Sequence, residues 1–129
     1  DIKGKREMET AYFLDTYALI EIVKKNKNYE PYKKGNLITT KLNLMEFHYF
    51  LLRTVGKSEA DVKYNRLLSL TTEISDETIK KANEFKLFHK KRKLSYIDCL
   101  GYIIARISGS KFLTGDNQFK DLQNVEFVK

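Results

Sequence analysis

The sequence has one cysteine, one proline and two histidines in 129 residues, and its apolar runs are all broken by charge well short of the ~18 residues a membrane helix needs. Each scarcity excludes something. A lone cysteine, Cys99, forms no internal disulfide. It has no His or Cys at metal spacing and lies in a helical pattern, so it reads as core packing in a chain kept in a reducing compartment. No apolar segment follows the basic N-terminus, so neither a secretory signal nor a membrane span is expected, and the expected location is cytoplasmic. No internal repeat, low-complexity tract or linker divides the chain.

What is present suits one domain. A hydrophobic fraction of 42% over this length supports one sizeable core but not two. Residues 1–7 are polar and patternless, and Met8 reads as a natural start, so 1–7 are expected to be frayed or vector-derived and 8–129 to form the domain. The formal charge of +7, from 24 basic and 17 acidic residues, favours a polyanionic partner. The basic residues gather in two places, around Lys24, Lys25, Lys27, Lys33 and Lys34 and in the run Lys90-Lys91-Arg92-Lys93. Each reads either as a surface for that polyanion or as a plain solvated face.

The run Ala11-Tyr12-Phe13-Leu14 leading into Asp15-Thr16 reads as a buried strand handing over to a helix at Ala18, Leu19, Ile22 and Val23. Asp15 then either caps that helix or stands at the mouth of the crevice beyond the carboxyl ends of a parallel sheet. A loop or short helix with Pro31 ends at Gly35, a strand covers 36–39, and Thr39 or Thr40 caps a helix to Thr54. That helix is apolar nearly all round and is expected to be largely buried, with Glu46 between Leu42 and Phe50 in a greasy row. An unpaired charge there costs several kcal/mol, which Arg53 would relieve as a structural partner. Ser58-x-x-Asp61 has capping-box spacing and opens a helix to about Leu70, and 71–74 is a weak strand. Ser75 opens a helix carrying Ile79, Ala82, Phe85 and Phe88. The following helix, from Ser95, shows a core stripe at Ile97, Leu100, Ile104 and Ile107. Asp98 lies off that stripe in a row with Gly101, Tyr102 and Ala105, either as the partner of a Ser95 capping box or as part of a site. Residues 111–114 form a strand ending in Gly115-Asp116, with Asp116 a turn residue or a second acid at a strand end, and 125–128 a last strand. Helices between almost all strands argue for a three-layer α/β/α sandwich with a mainly parallel central sheet.

Asp15, Glu46, Asp98 and Asp116 therefore stand at strand ends, helix starts or within a buried helix. Carboxylates gathered in one crevice raise one another's pKa, and a divalent cation reverses that penalty. Oxygen donors without paired His or Cys suit Mg²⁺ or Mn²⁺ rather than zinc.

Four motifs carry a family resemblance over about residues 10–129: Phe13-Leu14-Asp15-Thr16, Leu42-Asn43-Leu44-Met45-Glu46-Phe47, Ser95-Tyr96-Ile97-Asp98 leading to Ala105, and Phe112-Leu113-Thr114-Gly115-Asp116-Asn117-Gln118-Phe119. In that order they resemble the PIN-domain ribonucleases, in particular VapC-type toxins of prokaryotic toxin–antitoxin pairs. The resemblance implies that Asp15, Glu46, Asp98 and Asp116 hold one or two Mg²⁺ or Mn²⁺ ions and that Thr114 orients Asp15. It also implies hydrolysis of RNA phosphodiesters, an antitoxin partner and a homodimer. At Asn117 and Gln118, where relatives often carry a further acid, the sequence departs from the pattern. A haloacid-dehalogenase-like phosphatase is disfavoured because Tyr17 stands where its second Asp belongs, and a response-regulator receiver because only Glu7 and Glu9 precede the strand. A catalytically silent PIN-like module that binds RNA or protein is the remaining alternative.

Overall fold

In a computed structural model that describes residues 10–129, the first apolar run forms strand β1 (Ala11–Leu14). The expectation for residues 1–7 lies outside the described residues. Strands β2 (Asn36–Ile38), β3 (Lys111–Thr114) and β4 (Val125–Phe127) join β1 in the order β2-β1-β3-β4, and every pairing is parallel. Helices α1 (Thr16–Val23), α2 (Lys41–Thr54), α3 (Lys57–Leu67), α4 (Asp76–Phe88) and α5 (Tyr96–Ser108) supply the crossovers.

The strand alternation sorts the two cores, because successive side chains leave a strand on opposite faces. Phe13 and Phe112, paired in register with stacked rings 5.8 Å apart, face α4 and α5 with Tyr102, Ala105 and Phe119. Leu14 and Leu113 face the other way, onto Ala18 and Leu19 of α1 and Leu44, Phe47 and Leu51 of α2. The sheet is thus covered on both faces, and the α/β/α sandwich is the fold observed. No described helix is long and apolar enough to cross a membrane.

Local expectations hold where a polar side chain has a cap to make. Thr40, Ser75 and Ser95 each accept from a backbone N–H and start α2, α4 and α5, and Gly109 ends α5 in the left-handed region at φ 73°. Four expectations are corrected. Residues 71–74 form no strand; a single bridge joins Thr71 to Thr39. The Ser58–Asp61 pair makes no capping box, because α3 starts one residue before Ser58, from Gly56, and Asp61 instead meets Lys57 and His48. Helix α2 buries only one side, leaving Met45 55%, Tyr49 63% and Leu52 40% exposed.

The fourth correction concerns which side of α5 meets the sheet. Ile107 is exposed, and the buried residues are Cys99 and the run from Gly101 to Ala105. Ile79 and Phe88 of α4 are likewise exposed, with Ala82 and Phe85 turned inward. Gly101 is the reason α5 seats on this side: a Cβ there would lie 2.7 Å from Phe13 Cε1 and 3.3 Å from Phe112 Cε1. Gly101→Ala is therefore expected to cost ~1–3 kcal/mol by overpacking. The check is the urea midpoint, and an unshifted midpoint would mean that the helix and the two rings are not in fixed contact.

Candidate functional site

The carboxyl ends of β1 and β3 lie side by side, which puts Asp15 next to Thr114 although 99 residues separate them in sequence. Asp15 is buried. Its Oδ1 accepts from the Ala18 N–H at 2.9 Å, capping α1, and its Oδ2 accepts from Thr114 Oγ1 at 2.6 Å. Both readings of Asp15, cap and crevice, are thus true of one side chain. Both donors are neutral, so neither repays the removal of a charge from water. Burial raises the Asp15 pKa to about 7 against the two hydrogen bonds, and the charges of Asp98 and Asp116 push it further in the same direction.

Asp98 and Asp116 reach the same place from different elements. The capping box at the start of α5 holds Asp98: its Oδ2 accepts from the Ser95 N–H at 3.0 Å, and its own N–H donates to Ser95 Oγ at 3.0 Å. Burial raises its pKa, Asp116 adds to the rise, and the nearby Lys86 opposes it. Asp116 Oδ1 accepts from the Gln118 N–H, and the Asp116 N–H donates to Thr114 Oγ1, so one threonine hydroxyl joins Asp15 to Asp116.

Glu46 is held through the residue next to Asp15. Its Oε1 accepts from Thr16 Oγ1 at 2.6 Å, at the end of a chain in which Thr40 Oγ1 donates to Asn43 Oδ1 and Asn43 Nδ2 donates to Thr16 Oγ1. The expected partnership with Arg53 is not formed; that guanidinium lies over the rings of Tyr49 and Phe50. Thr16 and Asn43 are the site residues that sequence reasoning passed over. Their signals were a hydroxyl directly after Asp15 and an amide on the buried side of α2.

Two facts bear on a metal. Among the described residues the four acids make no ion pair, so the cluster has no protein counter-charge in contact. Equally, no three His, Cys, Asp or Glu among the described residues lie close enough to enclose an ion as they stand. The donor chemistry nevertheless fits a hard cation. Mg²⁺ characteristically keeps several waters and takes only one or two carboxylates, so it does not demand a closed protein cage.

The two basic clusters occupy different ends of the molecule. Lys24 and Lys25 follow the last turn of α1, about 12 Å by helical rise from Asp15. Lys24 pairs with Glu21 at 3.5 Å, and the chain then runs through a 3₁₀ helix at Lys27–Lys34 to β2 at the amino end of the sheet. The turn at Lys90–Arg92 meets the loop that follows Asp116. Arg92 is taken up by a two-bond pair with Asp121, at 2.8 and 3.0 Å, and by the Gln118 carbonyl, which clamps this turn to the loop following Asp116. Lys90, Lys91 and Lys93 make no ion pair among the described residues.

These features define an all-parallel α/β domain with an acidic site at the carboxyl ends of its central strands. The PIN domain model matches residues 12–125, and the chain belongs to the PIN domain family. No curated protein matches the sequence. The fold is similar to that of Mycobacterium tuberculosis VapC20, described as a sarcin-ricin loop cleaving toxin, with TM-score 0.71 and 19% identity over 91% of this chain and 96% of that one. It is similar to Rickettsia felis VapBC2, solved on a DNA fragment from its promoter, with TM-score 0.71 and 18% identity over 92% and 98% of the two chains. It is also similar to a Klebsiella pneumoniae toxin–antitoxin complex, with TM-score 0.71 and 14% identity over 89% and 95%.

Proposed function

We propose that this protein is a Mg²⁺- or Mn²⁺-dependent endoribonuclease, the toxin of a toxin–antitoxin pair acting in the cytoplasm. The observation that carries the reading is Asp15: a carboxylate at the end of the central strand, held by Thr114, its pKa raised by burial and further by Asp98 and Asp116, with no ion pair to a basic side chain among the described residues. Membership of the PIN family and the toxins among its structural neighbours point the same way. Asp15, Asp98 and Asp116 would hold the ion, with Glu46 set behind Thr16 as a further acid. When bound, a divalent cation supplies neutralisation of phosphate charge and a more acidic water.

The chain's own residues do the rest. Thr114 fixes the direction of Asp15 Oδ2, and the capping interactions of Asp98 and Asp116 hold those carboxylates before any substrate arrives, so little reorganisation is left for the reaction. With a pKa near neutrality in the metal-free protein, Asp15 can hold or release a proton as the site fills. Lys90, Lys91 and Lys93 draw in the phosphate backbone. In-line attack by water leaves a 5′-phosphate and a 3′-hydroxyl. An antitoxin and a second copy of the chain belong to the same reading, and the exposed Met45, Tyr49 and Leu52 on α2 give such partners apolar surface.

One observation favours a second reading. The acids stand too far apart to enclose an ion unaided, which suits a silent PIN-like module that only binds RNA or protein. Incubation with a structured RNA in Mn²⁺ or Mg²⁺, with EDTA as control, separates the two. The nuclease yields 5′-phosphorylated fragments that EDTA abolishes; binding without fragments under either ion would establish the silent module.

A further inference from the structure

Residues 86–93 read Lys-Leu-Phe-His-Lys-Lys-Arg-Lys, five permanent cations without one acid. Large apolar side chains stand exposed among and beside them: Leu87 is 71%, Phe88 84% and Tyr96 67% accessible. Apolar exposure of this degree inside a cationic surface has no use in folding, since each side chain gives up its burial energy. It fits a ligand with both negative charge and flat apolar faces.

Tyr96 is the best placed of the three. It opens the first turn of α5, two residues before Asp98, and borders a shallow groove of about 290 Å³ with Asn83, Lys86, Leu87 and Lys90. The Lys86 ammonium donates to the Leu94 carbonyl and lies 4.9 Å from the centre of the Tyr96 ring, so the ring is braced from one side before anything binds. The same ammonium is near enough to Asp98 to act on its charge, which ties the groove to the acidic site. The groove falls just under the ~300 Å³ at which small-molecule pockets begin. It has room for one flat ring system and not for a folded stem.

We infer that Tyr96 is a base-stacking residue, and that its groove takes one unpaired nucleotide of RNA next to the phosphate engaged at the acids, with Lys86 and Lys90 contacting the backbone. The inference rests on the nuclease reading and adds to it the residue that contacts the base, because only an unpaired, splayed-out base can offer a face to a protein ring. A base inside a duplex has both faces covered by its neighbours. Stacking on an aromatic ring also tolerates any base, so the groove selects single strands or loops without selecting a sequence.

The experiment compares the parent, Tyr96→Leu and Tyr96→Phe for binding to a single-stranded oligoribonucleotide carrying 2-aminopurine and to a fully paired RNA, with EDTA present so that nothing is cleaved. Leucine keeps apolar bulk and removes the π face; phenylalanine keeps the face. Tyr96→Leu is expected to bind the single strand roughly 5- to 100-fold more weakly and to lose the stacking quench of 2-aminopurine. Tyr96→Phe should stay within about twofold of the parent, and the duplex affinity, set by phosphate contacts, should be equal in all three. Equal single-strand affinity in Tyr96→Leu and parent overturns the platform alone, as does an equal loss on single strand and duplex, which would make this a general electrostatic surface. A Tyr96→Leu effect on self-association with none on RNA would make it a protein-docking face instead. A parent that binds neither RNA overturns the nuclease reading and the platform together.

Discussion

Asp15→Asn is expected to abolish cleavage while raising the melting temperature of the metal-free protein near pH 8. The loss of activity follows from removing a charge at the centre of the cation site; an interaction of several kcal/mol, at 1.36 kcal/mol per tenfold, corresponds to about a thousandfold in rate. The gain in stability has the opposite sign because the Asp15 pKa rises from 3.8 to about 7 on folding. Between those values the folded protein holds a proton that the unfolded chain has released. Stability is therefore full below about pH 4, falls as pH rises, and reaches its low level above about pH 7. The total is on the order of 4 kcal/mol, about three pH units at ~1.4 kcal/mol each. Asparagine has no such proton to lose. The variant should melt on the order of 10 °C above the parent at pH 8 and close to it at pH 4. Mn²⁺ at about 100 times its dissociation constant should stabilise the parent by ~2.7 kcal/mol and the variant far less. Melts at the two pH values, with and without Mn²⁺, read all of this. A variant that melts lower at pH 8 and cleaves like the parent would show that Asp15 serves only to cap α1.

Gly115→Ala should damage fold and site together. A Cβ at this position would lie 2.3 Å from Tyr17 Cε1 and 2.4 Å from the Val128 backbone oxygen. The Tyr17 ring is a side-chain end, but the Val128 oxygen is backbone, and the Val128 N–H is held by the Thr114 carbonyl at 2.8 Å. Overpacking typically costs 1–3 kcal/mol, and pressure on backbone puts this substitution at ~3 kcal/mol or more. Relief of the backbone contact requires shifting the end of β3 against the segment after β4, which moves Thr114 and Asp116 on either side of the glycine. A displacement of about 1 Å in positioned groups costs on the order of a hundredfold in rate. Thermal melts and the RNA assay at a temperature where the variant is folded check both parts. An alanine variant as stable and active as the parent would mean that the strand end yields without consequence.

The parts of this molecule that could be read from the sequence are those decided locally. The strand Tyr12 to Leu14 is a continuous apolar run, and the caps at Thr40, Ser75 and Ser95 need only a hydroxyl and the three residues after it. The three acids that the fold brings to one crevice were legible because each follows a strand or opens a helix at the same end of a parallel sheet. What stayed hidden depends on contacts that no window contains. Helix α5 is apolar on more than one side, so periodicity picks Ile107 as readily as Tyr102; the choice is made by Gly101 accepting the Phe13 and Phe112 rings. Helix α2 reads as largely buried because it is apolar nearly all round, but the sheet covers only one side of it, and a sequence does not say which side is left over. The Ser58–Asp61 spacing fitted a cap, but Asp61 found Lys57 and His48, and the helix began without it. Arg53 was the structural partner expected for Glu46, but it turned to the rings of Tyr49 and Phe50, and a hydroxyl thirty residues away, Thr16, donates to the carboxylate.

The 99-residue separation of Asp15 and Thr114 has a consequence for the order in which a newly made chain acquires its parts. Proteins emerge from the ribosome amino end first, and strands that pair across a long separation wait for the later one. Until residues 111–114 have been made, β1 has β2 on one edge and no neighbour on the other, and Asp15 has neither the threonine that aims it nor Asp116 opposite. A partly synthesised chain thus carries Asp15, Glu46 and Asp98 with no assembled site among them. For a protein proposed to cut RNA, the acidic site can therefore assemble only after residues 111–116 have been made.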